Sequence, residues 1–196
     1  MMLPVKTKEC YISQEYGRIN SKYAAGLHAG LDFAPKNKYK DLPNIYSVTS
    51  GKVIRSQNKG NWGSYIVIRD ICGESHIYAH LLERHVKVGD QVKEGQAIGI
   101  MGNTGNSSGI HLHYEIQTNY YNAQSHKDVA KYLNINNTVG DIILKEKKEQ
   151  KVSPFAAQAK AFVKKHNISD GERPQDSVTR EEMWVMLERF YKNLIK

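Results

Sequence analysis

The amino-acid sequence predicts a mainly β protein, with an antiparallel β-sheet domain followed by a small α-helical hairpin. Between residues 45 and 100, short apolar-rich segments alternate with glycine-rich turns, a spacing typical of antiparallel β structure. After residue 153, apolar residues recur at the spacing of amphipathic helices. A length of 196 residues with 40% hydrophobic content is sufficient for one ordinary core and a small second unit.

The net charge narrows the classes of partner. A formal charge of +8 indicates an anionic environment, such as a cell wall that bears teichoic acids, nucleic acid or an acidic membrane surface. Residues 1–144 contain 16 Lys and Arg against 12 Asp and Glu, and residues 145–196 contain 12 against 8, so each part carries +4. Because the charge is spread and no nucleic-acid recognition motif is present, we expect no nucleic-acid partner.

The cysteines and the N-terminal segment bear on the compartment. Cys10 and Cys72 form no CxxC pair, so we expect reduced thiols rather than a disulfide framework or a cysteine-rich zinc site. The first 17 residues lack the apolar stretch of a signal peptide, and no run approaches the roughly 18 apolar residues of a membrane span. We therefore expect a chain made in the cytoplasm, without a membrane span, that needs another route if it acts outside.

The first informative segment is AGLHAGLDFAP at residues 25–35, which follows a short predicted strand and loop at Tyr11–Tyr23. Its two glycines and its proline make a helix unfavourable. On a straight strand His28 and Asp32 would lie about 13 Å apart, so a shared metal ion requires the chain to curl. Gly30 allows that curl and leaves room for an ion. The alternative is an exposed turn with a surface ion pair.

Residues 45–100 are predicted to form short strands with the sequences IYSV, GKVIRSQ, SYIVIRD, ESHIYAHL and QAIGIM. In ESHIYAHL, alternation separates an apolar set from a polar set on opposite faces: Ile77, Ala79 and Leu81 against His76, Tyr78 and His80. A lone histidine on such a strand is usually structural. His80 is harder to dismiss, because other predicted strands of the same small domain also carry histidines.

The segment GNTGNSSGIHLHYEIQ, Gly102 to Gln117, combines a glycine-rich loop with a strand that carries His111 and His113. Residues two apart on a strand point to the same face, so both imidazoles emerge together while Leu112 turns inward. At about 3.3 Å per residue their backbones are about 6.6 Å apart, so one histidine can bind a metal while the other handles protons. The alternative is a solvated strand face that happens to hold two histidines.

The sequence divides the whole chain into three parts. Residues 1–144 form the predicted β domain, whose last element is a helical turn at Asp128–Leu133. Residues 145–152 include the charged run KEKKEQK, which is interpreted as a linker or as a solvated helix extension. Residues 153–196 contain two amphipathic helices that are too small to bury much surface alone. We expect this hairpin to pack on the β domain or on another copy of itself.

Four motifs carry a resemblance to a known family. They are HxGxD at His28–Asp32, YAHL at Tyr78–Leu81, the hairpin VGDQVKEGQAIG at 88–99, and GNTGNSSGIHLHYE at 102–115. In this order they resemble the LytM or lysostaphin-type zinc peptidases of family M23, over about residues 14–118. The resemblance implies a compact antiparallel β-sheet fold with a groove whose floor carries the metal. It also implies cleavage of peptide bonds in the stem or cross-bridge peptides of bacterial peptidoglycan.

The resemblance also implies roles for five residues. One zinc per chain is held by His28, Asp32 and His113, and His80 and His111 flank the water that the metal activates. Zinc polarises the scissile carbonyl and lowers the pKa of its water toward about 7, and a histidine beside it can accept or donate a proton. The sequence leaves open which of the two histidines acts as the base and which stabilises the intermediate.

Three further residues are candidates for supporting roles. Glu115 shares a strand face with His111 and His113 and is either a partner of a metal ligand or a plain surface carboxylate. Tyr23 or Tyr78 is a candidate hydrogen-bond donor to the oxyanion of the intermediate.

Two features depart from the family pattern. The segment KNKYKDLPN, Lys36 to Asn44, replaces a short glycine turn and predicts a remodelled groove wall. The lack of an export signal favours a phage-type endolysin released through a membrane pore, or a virion-associated lysin, over a secreted autolysin. A second hypothesis is a non-catalytic binding or activating module that acts on other cell-wall enzymes. The presence of all five histidine and aspartate positions favours the enzyme.

The C-terminal pattern, SPFAAQAKAFVKKHNISDGERPQDSVTREEM, resembles the tails of some phage endolysins and half of an S-layer homology repeat. This resemblance implies attachment to anionic cell-wall polymers or self-association. The alternative is an appendage that only packs on the β domain.

Overall fold

The computed structural model describes residues 2–21, 23–37, 41–120, 122 and 124–145. The predicted helical hairpin and, apart from Lys145, the predicted linker lie outside the described residues. The described part consists of eleven strands and one helix: β1 Cys10–Gln14, β2 Gly30–Pro35, β3 Asn44–Tyr46, β4 Gly51–Asn58, β5 Ser64–Arg69, β6 Ser75–Ala79, β7 Leu81–Arg84, β8 Gln91–Val92, β9 Ala97–Met101, β10 Leu112–Gln117, α1 Val129–Leu133 and β11 Gly140–Asp141. The predicted mainly β, antiparallel fold class is confirmed. In this described part, no helix has the length and apolar content needed to cross a membrane.

The strands form two antiparallel sheets. The larger sheet has eight strands in the order β11-β1-β2-β10-β6-β5-β4-β8, and the smaller has three in the order β3-β9-β7. Strand β10, which contains the second histidine of the HLH motif, lies between β2 and β6 near the middle of the larger sheet. A central strand is hydrogen-bonded on both edges, so side chains on β10 have a closely defined position.

The hydrophobic core explains why the strand segments are so apolar. One cluster combines residues of both sheets, among them Phe33, Ile66, Tyr78, Leu81 and Ile98. On the opposite face of β5 and β6 a second cluster contains Tyr65, Val67, Ile77 and Ala79, with Trp62 and Tyr120 packed against it. Both faces of these two strands are therefore covered, which is why SYIVI reads as a continuous apolar run rather than as an alternating one.

The prediction that His80 continues the strand face of His76 and Tyr78 was wrong. Strand β6 ends at Ala79, and His80 adopts a left-handed backbone conformation with φ of 62°. The next residue begins β7, which belongs to the smaller sheet. His80 is therefore the single residue between a strand of each sheet. Its backbone N–H donates to the carbonyl oxygen of Trp62 at 3.0 Å, which fixes the turn outside any strand ladder.

Two glycine-containing loops, 59–63 and 103–107, contact each other beside this turn. Gly63 and Gly105 have φ of 61° and 70°, and a Cβ added to Gly105 would lie 2.3 Å from the Gly63 nitrogen. The Asn106 N–H donates to the Asn61 carbonyl at 2.8 Å, and the Ser64 N–H donates to Thr104 Oγ1 at 2.9 Å. Only residues without a side chain allow this approach of two backbones.

This contact gives a stability test. We expect Gly105→Ala to reduce the free energy of unfolding by roughly 2–5 kcal/mol, because left-handed strain adds to overlap with the facing backbone. The matched control is Gly60→Ala, in the same pair of loops, where φ is 66° but no atom lies within 4 Å of an added Cβ. That change should cost only about 1–2 kcal/mol. Equal losses in chemical denaturation would contradict a close loop contact.

Candidate metal centre

Three side chains converge on one point: His28, Asp32 and His113. His28 Nε2 lies 3.1 Å from Asp32 Oδ1 and 3.0 Å from His113 Nδ1, and His113 Nδ1 lies 2.9 Å from Asp32 Oδ1. All three residues are buried. Asp32 and His113 are directly opposite partners on β2 and β10, whereas His28 reaches the same point from just before β2. The structure thus brings together the three residues that the sequence nominates as metal ligands.

The predicted curl of the chain between His28 and Asp32 is present. The His28 N–H donates to the Arg18 carbonyl at 2.9 Å, which turns this segment aside before β2 begins at Gly30. The expected reason for Gly30 was wrong, however. An added Cβ at Gly30 would lie 2.5 Å from Cε1 of His113, so the missing side chain makes room for that imidazole ring rather than for an ion.

Hydrogen bonds on the far side of each imidazole assign its tautomer. His28 Nδ1 lies 2.8 Å from the carbonyl oxygen of Glu15, which only accepts, so this nitrogen carries the hydrogen and donates it. His113 Nε2 lies 3.1 Å from Glu115 Oε2 and donates to that carboxylate in the same way. When both rings are neutral, as a bound cation requires, His28 Nε2 and His113 Nδ1 are bare acceptors that face each other and Asp32 Oδ1.

This donor set fits a zinc ion. Three acceptor atoms separated by 2.9–3.1 Å repel one another, and a cation between them removes the repulsion. Tetrahedral Zn²⁺ with bonds of about 2.0–2.1 Å holds its ligand atoms about 3.3 Å apart, close to the observed spacing. Two imidazoles and one carboxylate are also a ligand set that zinc accepts, and they leave a fourth position open.

The electrostatics of the centre indicate the same need for positive charge. Burial opposes ionisation of Asp32, but its hydrogen bonds with His113 and His28 outweigh burial and hold its pKa well below the ordinary value. Burial likewise opposes a charge on His113, yet hydrogen bonds to Asp32 and Glu115 raise its pKa to about 10. Without a metal, a proton on His113 balances the negative charge of the ionised Asp32.

Glu115 belongs to the centre and is not the surface carboxylate that was its alternative interpretation. It is only 4% exposed, and its second oxygen accepts a hydrogen bond from Gln117 Nε2 at 2.7 Å. Burial opposes its charge, but the bonds to His113 and Gln117 outweigh burial and lower its pKa. A buried carboxylate that stays ionised orients the His113 ring and makes its other nitrogen a better ligand.

His80 and His111 lie beside the three ligand candidates. Their ring centroids are 4.6 Å apart, and His111 Nε2 lies 3.7 Å from Asp32 Oδ2. His80 Nδ1 donates to the Thr104 carbonyl at 2.8 Å, and His111 Nδ1 donates to the Gly109 carbonyl at 2.8 Å. Each ring therefore has its Nε2 free to accept a proton. Burial, and then the neighbouring His111 and His113, lower the pKa of His80 to about 4, so this ring is neutral near pH 7.

The two tyrosine candidates have different positions. Tyr78 is fully buried, and its hydroxyl accepts a hydrogen bond from the Val48 N–H at 2.9 Å, so it belongs to the core. Tyr23 lines the cavity at the centre, with its ring 5.4 Å from that of His28. The Tyr23 hydroxyl accepts from Gln14 Nε2 at 2.6 Å, so its hydrogen can be donated to a ligand.

All five nominated residues line one open cavity of about 530 Å³. Its walls include Tyr23, Trp62 and the loop residues 106–108. The described residues of the segment 36–44 do not line this cavity, so nothing in the described part supports a remodelled wall there. Sequence reasoning missed Trp62 and Thr104, because their roles depend on the contact between two loops that are distant in the sequence.

The chain is similar to a phage endolysin and to a peptidoglycan endopeptidase. It is 35% identical over 108 residues to Endolysin 2638A of Staphylococcus phage 2638A, a match that covers 53% of this chain and 21% of that protein. It is 38% identical over 94 residues to the Peptidoglycan DD-endopeptidase ShyA of Vibrio cholerae, which covers 45% of this chain and 20% of that protein. The chain thus spans about a fifth of the length of these relatives.

The fold is similar to that of a solved peptidase domain. The catalytic domain of the antimicrobial peptidase lysostaphin from Staphylococcus simulans superposes with a TM-score of 0.53 at 31% identity, covering 62% of this chain and 90% of that domain. The model of peptidase family M23 matches residues 26–127, which is just over half of the 196 residues and includes all five residues of the centre. With its fold, its His-Asp-His cluster and this match in agreement, the chain belongs to peptidase family M23.

Proposed function

We propose that this protein is a zinc-dependent endopeptidase that hydrolyses peptide bonds in the stem or cross-bridge peptides of bacterial peptidoglycan. The observation that carries the proposal is the convergence of ligand atoms from His28, Asp32 and His113, which lie within 3.1 Å of one another beside two further histidines. The similarity to a peptidoglycan DD-endopeptidase and to lysostaphin supports the substrate class.

The metal and the side chains divide the chemistry. Zinc, when bound, polarises a carbonyl and lowers the pKa of a water molecule toward about 7. His28, Asp32 and His113 hold the ion, and Glu115 keeps the His113 ring in the ligand tautomer.

The remaining histidines move protons. His80 and His111 present Nε2 atoms that accept a proton from the nucleophile and return it to the leaving amine. Because their rings lie 4.6 Å apart, a single substrate group can contact both. Tyr23 can donate its hydroxyl hydrogen to the oxyanion.

We further propose that the enzyme is a phage-type lysin that reaches the wall through a membrane pore or as part of a virion. The similarity to a phage endolysin supports this placement. Residues 153–196 then attach the enzyme to anionic wall polymers or associate with a second copy.

The first prediction concerns metal content. We expect one tightly bound zinc per chain, loss of activity on chelation, and recovery when zinc is added. His113→Ala should remove that zinc, whereas Glu115→Gln should keep it with roughly 10-fold to 100-fold lower affinity, because only the partner of a ligand is changed. Elemental analysis after dialysis and competition with a chelator measure both effects.

Glu83→Gln is the matched control for this series, because Glu83 is an exposed carboxylate that also lies beside a histidine, His85, at 3.3 Å. It should leave the tight zinc unchanged. If His113→Ala keeps its zinc while His111→Ala loses it, the roles within the HLH pair are reversed. Full activity of the metal-stripped protein would exclude the zinc mechanism.

The second prediction separates proton transfer from metal binding. His80→Ala and His111→Ala should each keep the zinc and the fold yet slow cleavage of soluble muropeptides by roughly 10²-fold to 10⁴-fold. The double variant should lose little more than either single variant if the two histidines act as a unit. His85→Ala, at an exposed site, is the control that should cleave normally.

Product mass spectrometry with purified peptidoglycans of different cross-link type provides the rates and identifies the bond. A wild-type chain that binds zinc tightly but cleaves none of these substrates would favour the rival hypothesis of a binding or activating module.

The third prediction concerns residues 153–196. A chain that ends near Leu144 should still cleave soluble muropeptides, since the five nominated residues all precede that point, but should bind whole cell walls less well. Co-sedimentation with walls that do or do not contain anionic polymers measures this binding. Equal binding by the shortened and full-length chains would instead indicate that the segment only packs on the β domain.

A further inference from the structure

A second cluster of metal-binding residue types lies at the hairpin that joins β5 to β6. It contains Asp70, Glu74 and His76, which each offer a ligand atom within 4.8 Å of the others. Asp70 follows the last residue of β5, Glu74 precedes β6, and His76 is the second residue of β6. None of the three belongs to the candidate centre described above.

His76 is the observation that points to a ligand. The residue is fully buried, and its Nε2 atom has no hydrogen-bond partner among the described residues. That atom lies 3.5 Å from Asp70 Oδ2, which is longer than the 2.7–3.2 Å of an ordinary N–H···O hydrogen bond. Buried imidazole nitrogens are normally satisfied, so an unpartnered one that faces a carboxylate needs an explanation.

The other ring nitrogen of His76, Nδ1, allows two hydrogen-bonding arrangements. Nδ1 lies 2.7 Å from the Tyr114 hydroxyl, which can accept or donate. If Nδ1 donates to Tyr114, Nε2 is a bare acceptor that faces the Asp70 carboxylate, and a cation is needed between them. If Tyr114 donates, Nε2 carries a hydrogen, and Nε2 itself lies 3.5 Å from Asp70 Oδ2, which makes a long and weak contact. A bound cation resolves the first arrangement without any movement of the buried ring.

The Asp70 carboxylate is already positioned. Asp70 Oδ1 accepts a hydrogen bond from the Glu74 N–H at 2.8 Å, and the Gly73 N–H donates to the Asp70 carbonyl at 3.1 Å. These bonds fix the turn and leave Asp70 Oδ2 for another partner. The Tyr132 ring packs edge-on against His76 at 5.6 Å and shields the cluster from one side.

Lys127 pairs with Glu74 Oε1 and supplies the cluster with one positive charge. Its side chain is 42% exposed, so the ammonium group can leave Glu74 for solvent at little cost. A divalent ion would then take the place of this ammonium group, with Glu74 turning toward His76.

We propose that Asp70, Glu74 and His76 form a second site for a divalent transition-metal ion, which competes with Lys127 for Glu74. One imidazole and two carboxylates suit Zn²⁺ or Mn²⁺. Bonds of about 2.0–2.2 Å place ligand atoms roughly 3.1–3.6 Å apart, which matches the separation of His76 Nε2 and Asp70 Oδ2. The ion ties the end of β5 to the start of β6.

Zinc titration of the full-length, metal-stripped chain tests this proposal. Calorimetry should show a second, weaker equivalent of zinc after the tight one, and long-range ¹H–¹⁵N spectra should show His76 Nε2 taking up the metal during the second equivalent only. Asp70→Asn and Glu74→Gln should each weaken the second equivalent by at least about tenfold and leave the first unchanged. Glu74→Gln preserves the Asp70 turn, so it remains informative if Asp70→Asn folds poorly.

Three variants complete the experiment. Lys127→Met should tighten the second equivalent by roughly tenfold, because one competing charge is removed. Glu83→Gln, the exposed control, should change neither equivalent. His113→Ala should lose the first equivalent and keep the second, so this site is tested independently of the proposed peptidase centre.

A single equivalent in the wild-type chain, or a second equivalent that survives in both carboxylate variants, would overturn the proposal. If Lys127→Met binds the second equivalent of zinc with unchanged affinity, Glu74 is not a ligand of this site.

Discussion

The pairing of Asp32 with His113 across β2 and β10 is the constraint on which the candidate centre depends. In the antiparallel register these residues are direct partners, and their side chains approach to 2.9 Å. That approach requires a glycine at position 30, because any side chain there would overlap the His113 ring. It also requires an acceptor behind His113, which Glu115 supplies from the same strand. One register thus fixes the carboxylate, the imidazole and the tautomer of the imidazole.

Hydrogen bonds to backbone carbonyls hold the rings of His80 and His111. His80 is the single residue between β6 and β7, which belong to different sheets. His111 follows a glycine-rich loop just before β10. Each ring donates to a backbone carbonyl rather than to a carboxylate, so no charge accumulates behind it. A histidine backed by a neutral carbonyl keeps a lower basicity than one backed by Glu115. This difference separates His113 from the other two. His28 is also backed by a backbone carbonyl, and it is its contact with Asp32 at 3.1 Å that places it among the candidate ligands.

The sequence could predict the β class, since strand patterning is a local property. Its motifs nominated the five residues through their resemblance to a known family, and the structure places all five side chains around one cavity. It could not predict the turn at His80, because alternation along ESHIYAHL continues past the point where the chain changes sheet. The burial of Glu115 was also out of reach, since the sequence does not show that both faces of β10 are covered, whereas in the structure all six of its residues are buried. The reason for a glycine at position 30 was also predicted wrongly, because it depends on a long-range contact. The ring that Gly30 accommodates comes from a strand more than 80 residues away in the sequence.

The two clusters differ in the hydrogen bonds behind their candidate metal ligands. In the first, His28 and His113 each donate their outer hydrogen to an acceptor that fixes the ring, so both inner nitrogens are committed to a cation. In the second, the outer nitrogen of His76 faces a hydroxyl that can either donate or accept, and Lys127 already neutralises one carboxylate. A metal entering the second site must select one tautomer and displace an ammonium group. Both steps would reduce the affinity of the proposed second site, so the order of filling would follow from the hydrogen bonds behind the ligands as much as from the ligands themselves.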